Sequence, residues 1–474
     1  MKREPGHQSG RVAGAFSHQL ARKTPVAGET REAYSATQLM FSSCPRTTLI
    51  FGVVAVTLCL FLPSPAYATA GDLDTTFSRN GKLHFEFGAG TNGAQGVAVQ
   101  SDGKIVFGGS ISADGCDHTP YGRFSVARVN PNGTFDSTFA GDGKRTVNVG
   151  SDCYEGGFAL ALQPDGKILL AGSADGRFAV VRLNPNGTLD GNFSHDGKRV
   201  LWTGDSALEG FAFDVAVQSD GKIVLAGQGW HGDDVAVARL NPRGGFDPTF
   251  GDGRGFVTTD VVGASDRANA LAIQPDGKIV VAGHGGDHGN GNDWLVIRYN
   301  PDGSLDTNFA VGGIFTLFIG DAIGSGAQGV AIQKDGKIVT GGEAPFDETG
   351  GDFVAVRLTA TGTLDNEFSS DGIVSTNFGP NSGDGADAVV LQGDGKIILG
   401  GNTDATSDVD PVFALARYTT SGELDPSFGN GGLVTTRISH GDRLLDLAFR
   451  SKRIVAAGFT WGCCRMALAR YVSD

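Results

Sequence analysis

Short segments along the chain alternate between large and small apolar residues and close on an arginine. Examples are Phe178-Ala-Val-Val-Arg182, Trp294-Leu-Val-Ile-Arg298 and Phe413-Ala-Leu-Ala-Arg417. A period of two places the aromatic residue, the middle aliphatic residue and the arginine on one face of an extended strand, with smaller residues on the other. Other segments are apolar throughout, such as Ala270-Leu-Ala-Ile-Gln274 and Lys278-Ile-Val-Val-Ala282, and read as strands buried on both sides. Pro-Asp-Gly or a related tight turn joins these two, because proline presets φ and glycine accepts the positive φ of hairpin turns. A second turn, Asn-Pro-x-Gly, follows the alternating strand and leads into a fourth, such as Gly255-Phe-Val-Thr-Thr259. No segment after residue 68 carries a 3.6-residue amphipathic period.

The four-strand unit repeats. The pattern [LF]-D-x-x-F places its phenylalanine at Phe77, Phe139, Phe193, Phe250, Phe309, Phe368 and Phe428, in steps of 62, 54, 57, 59, 59 and 60 residues. Six arginines are each followed eight residues later by an aspartate: Arg128/Asp136, Arg182/Asp190, Arg239/Asp247, Arg298/Asp306, Arg357/Asp365 and Arg417/Asp425. A seventh arginine, Arg470, lies four residues before the end, and a seventh aspartate, Asp74, has no arginine before it. Joining Asp474 to Gly71 restores the spacing of eight. Seven four-stranded units cut within a turn and completed by the opposite end describe an all-β, seven-bladed β-propeller of antiparallel blades, closed by an N-terminal outer strand that completes the last blade. An open solenoid would leave Arg470 and Asp74 without partners. The fixed Arg/Asp spacing across a tight turn predicts an ion pair within each blade, not a charged channel. The seventh unit departs at its first turn, where Ser451-Lys452-Arg453 replaces Asp-Gly-Lys.

The first 68 residues follow a different pattern. Leu49–Leu62 is apolar, follows Arg46, and leads to Ala66-Tyr67-Ala68, a small-x-small cleavage site. The sequence therefore predicts a signal peptide over residues 40–68, too short to span a membrane, with Met40 as initiator and residues 1–39 as an untranslated or disordered extension. The folded domain is expected over residues 69–474, secreted or periplasmic, with no membrane insertion after cleavage. Removing the seven basic and three acidic residues of positions 1–68 from 38 Lys+Arg and 52 Asp+Glu leaves a net charge of about −18. Such a surface argues against nucleic acid and anionic membranes as partners. A monomer is expected.

The combined pattern D-G-K-I-[VIL]-x-[AG]-G … A-x-x-R-[LVY]-N-P-[DN]-G-x-[LF]-D-x-x-F resembles the bacterial delta-60 repeat family. The resemblance covers nearly all of residues 71–474. It implies an exported β-propeller repeat protein of largely undefined activity.

Within a ring the repeats control for one another: a residue present in every unit serves the unit, and function belongs where units differ. The second-to-third and fourth-to-first connections vary and share one face of the disc. There, Trp230, His231 and Asp233 in the third unit and Trp461 in the seventh are candidates for holding a glycan, peptide or protein ligand. Asp287, His288, Asn290 and Asp293 offer oxygen and nitrogen donors, a weak candidate for Ca²⁺ or another metal that matches no established loop motif. No cofactor is expected. Cys116 and Cys153 flank the junction of the first two units and are expected to form a disulfide. Cys463 and Cys464 are disulfide candidates with open pairing. No nucleophile elbow, His-Glu-x-x-His motif or Walker loop occurs, so no catalytic residues are nominated. Gly88-Ala-Gly-Thr-Asn-Gly93 matches a dinucleotide fingerprint only by accident, because no helix follows. The leading expectation is a binding module. The alternatives are an enzyme acting on a polymer in the central funnel, or a structural cell-surface protein.

Overall fold

A computed structural model describes residues 68–474 except 88–91, 112–121, 151–154, 205–206, 230–233, 262–264, 286–292, 321–324, 348–349, 381, 406–409 and 462–464. The described residues form seven four-stranded antiparallel sheets. The first strand, β1 (Lys82–Phe85), belongs to the last blade. Blade one holds β2 (Asn92–Val99), β3 (Ile105–Ile111), β4 (Arg123–Val129) and β5 (Lys144–Val147). Blade two holds β6 (Gly156–Leu162), β7 (Ile168–Ala174), β8 (Arg177–Leu183) and β9 (Lys198–Val200). Blade three holds β10 (Gly210–Val217), β11 (Ile223–Gly229), β12 (Val235–Leu240) and β13 (Phe256–Thr259). Blade four holds β14 (Arg267–Ile273), β15 (Ile279–Gly285), β16 (Asp293–Tyr299) and β17 (Ile314–Leu317). Blade five holds β18 (Gly326–Ile332), β19 (Ile338–Asp347), β20 (Gly350–Leu358) and β21 (Ile373–Thr376). Blade six holds β22 (Asp384–Leu391), β23 (Ile397–Thr403), β24 (Val412–Tyr418) and β25 (Leu433–Thr436). Blade seven holds β26 (Asp442–Arg450), β27 (Arg453–Thr460) and β28 (Arg465–Val472), and β1 pairs with β28 from Lys82↔Ala469 to Phe85↔Met466. The two ends of the domain thus share one sheet, and the open solenoid is excluded.

Seven hydrophobic clusters fill the seven junctions between neighbouring blades. The alternation of the third strands explains the arrangement. Phe178 and Val180 of β8 pack against blade three, whereas Ala179 and Val181 pack against blade one. Burying both faces of every sheet leaves no blade able to stand alone.

The repeated charges complete the joints. In every blade the arginine Nε lies 2.6–3.0 Å from the aspartate Oδ2, from Arg128–Asp136 round to Arg470–Asp74, and both partners are buried. The arginine Nη1 then donates to a turn carbonyl of the next blade, for example Arg182 to Pro242 and Arg298 to Ala360, both at 2.6 Å. The series ends with Arg417 to Ser473 and Arg470 to Pro131, so the relay crosses the join between chain ends without a gap. Each guanidinium also lies over the phenylalanine of its own [LF]-D-x-x-F segment at 4.5–4.9 Å. The residue after that phenylalanine donates its backbone N–H to the next blade's turn, as in Ala140 to Asn186 and Gly429 to Ala70, both 2.8 Å. The ion pair expected from the spacing is therefore also a bond between blades.

Blade seven solves its altered first turn differently. Ser451 and Lys452 both take positive φ, 50° and 63°, and form a two-residue turn between the paired Arg450 and Arg453. Arg453 reaches Asp74 at 2.6 Å, the role that the turn lysine fills in blades one and three to six.

Candidate functional site

Each inner strand carries a bulge, which places one extra residue against the axis. The bulged residues are Gln95, Phe158, Phe213, Asn269, Gln328, Asp387 and Leu445. A glycine of the second strand faces each bulge. A Cβ on Gly172, Gly227 or Gly283 would lie 1.8 Å from an inner-strand carbonyl oxygen, so no larger residue fits there. The repeated glycine is a requirement of the bulge, and the bulge sets what faces the axis.

The inner strands of all seven blades enclose an axial cavity of about 540 Å³. Its wall does not repeat. On one side Phe158, Phe211 and Phe213 form a half-buried group with ring centroids 5.7–5.8 Å apart. The Arg267 guanidinium sits 3.7 Å from the Phe213 centroid. His284, beside Arg267, is held neutral: burial first, then the arginine charge, brings its pKa down to about 4.

Carboxylates occupy other parts of the wall. The residue after the bulge is Gly or Ala in blades one, two, four, five and six, but Asp214 in blade three and Asp446 in blade seven. Asp214 accepts the backbone N–H of Val215 at 2.7 Å and of Leu271 in blade four at 2.6 Å. Asp446 accepts the N–H of Leu447 and, across the closure, of Val97 in blade one, both at 2.7 Å. Innermost strands are sheet edges, whose donors need partners. Burial raises both carboxyls to about 7, and the charge of Asp214 adds to the rise at Asp446. Outside the cavity lining, Asp387, bonded by the Asn402 amide at 2.9 Å, is pushed up to about 8 by burial and then by the negative charge of Glu343. Glu343 reaches across from blade five to lie against Gly385. Arg443 stands nearby in blade seven, under the ring of Trp461 at 5.2 Å.

Of the residues nominated from sequence, Trp461 is 55% exposed on the varied face, where its backbone N–H donates to Gly441 at 2.9 Å. Asp293 begins β16 and is buried, next to the core residue Trp294, whose indole N–H donates to Thr340 Oγ1 at 2.9 Å. Trp230, His231, Asp233, Asp287, His288, Asn290, Cys116, Cys153, Cys463 and Cys464 lie outside the described residues. Among the described residues no three or more His, Cys, Asp or Glu side chains gather as a metal centre. The channel residues were missed because a bulge breaks the period-two rule that assigns side chains to faces. Aligning the repeats on the glycine that faces the bulge would have exposed the column.

Six stretches match the model of a family described as a domain of unknown function (DUF5122) beta-propeller: residues 100–139, 163–193, 218–250, 274–309, 333–368 and 392–428. The chain is a β-propeller repeat protein. The six matched stretches are blades one to six of the propeller from first turn to [LF]-D-x-x-F phenylalanine, and blade seven is the one divided between the chain ends. No curated protein matches the sequence. Among solved structures, a Staphylococcus aureus virginiamycin B lyase with quinupristin is 12% identical, with a TM-score of 0.48 over 82% of this chain and 98% of its own. The polysaccharide lyase Uly1 is 11% identical, with a TM-score of 0.48 over 86% and 97%. YCF48 bound to D1 peptide is 11% identical, with a TM-score of 0.45 over 87% and 100%. Likeness at this level assigns no activity to the propeller.

Proposed function

We propose that the protein is an exported ligand-binding propeller of the delta-60 type, secreted or periplasmic, which takes its ligand at the mouth of the axial channel on the varied face. One observation carries this reading. The joints between blades repeat round the ring, whereas the wall of the channel gathers aromatic rings, an arginine, amides and carboxylates that differ from blade to blade. Concave sites that combine an apolar wall with a few convergent polar groups are where proteins hold small ligands. Trp461, stacked with Arg443, extends the site onto the rim.

The test is a screen of the chain from Thr69 against glycan and peptide arrays, repeated with Phe158→Ala and Trp461→Ala. A ligand should be found whose binding falls at least tenfold with Phe158→Ala and less with Trp461→Ala. Lys334→Ala on the turn face should leave it unchanged. A ligand indifferent to Phe158, or the lack of any ligand, would refute the reading. The enzymatic alternative draws on two carboxyls that line the channel, Asp214 and Asp446, which burial raises to about 7, the range that suits general acids and bases. It requires turnover of a polymer that stops with Asp446→Asn.

A further inference from the structure

Resting on the channel reading above, we propose that the ligand is an amino sugar, whose protonated amine is seated between the Phe158–Phe211 rings and the aspartates of blades three and seven. Three features of the wall converge on this chemistry.

The first is the aromatic side. Three phenylalanine rings stand together, half exposed, and are the aromatic side chains of the cavity lining. Aromatic faces attract cations through the ring quadrupole and also stack on the apolar face of a sugar ring. Arg267, 3.7 Å from Phe213, shows a cation already seated on this group.

The second is charge. Two carboxylates, Asp214 and Asp446, line the cavity against one arginine, Arg267. Asp214 and Asp446 receive two backbone N–H groups each, which share no formal charge with them. Carboxylates held out of water favour an incoming cation, because it removes the penalty of ionising them there. An anionic ligand would meet one arginine against two carboxylates. A bare metal ion would need six to eight oxygens for calcium, and it would make no use of the rings.

The third is the amides. Gln95, Asn269 and Gln328 occupy the bulge position in blades one, four and five, and Gln228 stands beside Phe211. Each amide pairs a donor with an acceptor, the complement of a hydroxyl. Gln228 and Asn269 already donate to Ser265 Oγ at 2.6 Å and the Ala327 carbonyl at 2.9 Å, which orients their amide oxygens. A lysine side chain presents only methylenes along its length to the wall amides, whereas a hexosamine presents hydroxyls round its ring. A volume of about 540 Å³ holds one or two such rings.

The test is titration calorimetry at pH 7 with three probes: a glucosamine trimer, an N-acetylglucosamine trimer and trilysine. The glucosamine trimer should bind at least tenfold more tightly than either of the others. Asp446→Asn should weaken it at least tenfold. Because Asp446 also ties blade seven to blade one, Gln328→Ala, which removes a bulge amide lining the cavity in blade five, serves as a second variant and should weaken binding severalfold. Arg267→Ala, which removes a like charge, should tighten it. If the acetylated trimer binds equally well and Phe158→Ala abolishes it, the amine assignment falls while the channel site stands. Equal binding of trilysine overturns the sugar assignment. If no probe binds and the arrays also find no ligand sensitive to Phe158, both the class and the site are wrong.

Discussion

At the scale of single residues, similar charges do opposite work. Asp136 and Asp425 are paired with arginine and lysine and bonded to a neighbouring hydroxyl and N–H, and their pKa values lie well below the usual carboxylate range despite burial. Such groups lend stability above the unfolded pKa near 4, and it is lost as pH falls through their folded values. Asp214, Asp446 and Asp387 are raised to about 7, 7 and 8. The folded state then holds protons that the unfolded state has released, so stability declines as pH rises through those values. His284, depressed to about 4, costs stability only below its unfolded value near 6.5, and so leaves the higher window to the aspartates. Melting temperature is therefore expected to fall from pH 6.5 to 8.5, with a smaller slope in Asp387→Asn. A flat profile in the parent chain would contradict the assignment. For the repeated pairs, Asp306→Ala strands buried Arg298 and should cost about 3–5 kcal/mol by urea denaturation. The double change Arg298→Met, Asp306→Leu should recover much of that loss.

At the scale of the element, strands and turns were legible wherever a fixed offset recurred. Period-two alternation gave the third strand, because both of its faces are buried against different neighbours. Arg298 and Asp306 could be paired from sequence, because one turn separates them in every blade. The inner strand was legible as a strand, but the bulge after Ala212 turns Phe213 and then Asp214 toward the axis against the simple alternation. Asp214 in the run Gly210-Phe-Ala-Phe-Asp214 reads as a solvated polar residue until the bulge is placed. The varied loops drew attention for their tryptophans and histidines, whereas the described structure concentrates unlike side chains on the inner strands. The turn of blade seven carries a further expectation. Ser451 and Lys452 both adopt the left-handed region, so Ser451→Asn with Lys452→Gly supplies the residues that this turn favours. A gain of about 1 kcal/mol is expected in thermal or urea unfolding, and a loss would show that the turn is of another kind.

At the scale of the molecule, the account rests on closure. β1 pairs with β28, Asp74 meets Arg470 and Arg453, Arg470 donates to Pro131, and Asp446 accepts from Val97. All of these join the last blade's parts to one another or to blade one. Closure was legible because Arg470 lacks its aspartate and Asp74 lacks its arginine, and only a join between the ends supplies both. In such a ring the loss of one outer strand opens two junctions at once and strips the charge partner from a buried arginine. The direct measurement is the thermal melt of residues 88–474 beside that of residues 69–474. The shorter chain is expected to lose the single cooperative transition or to melt far lower throughout. An unchanged melting curve would show that the ring does not close through its own two ends.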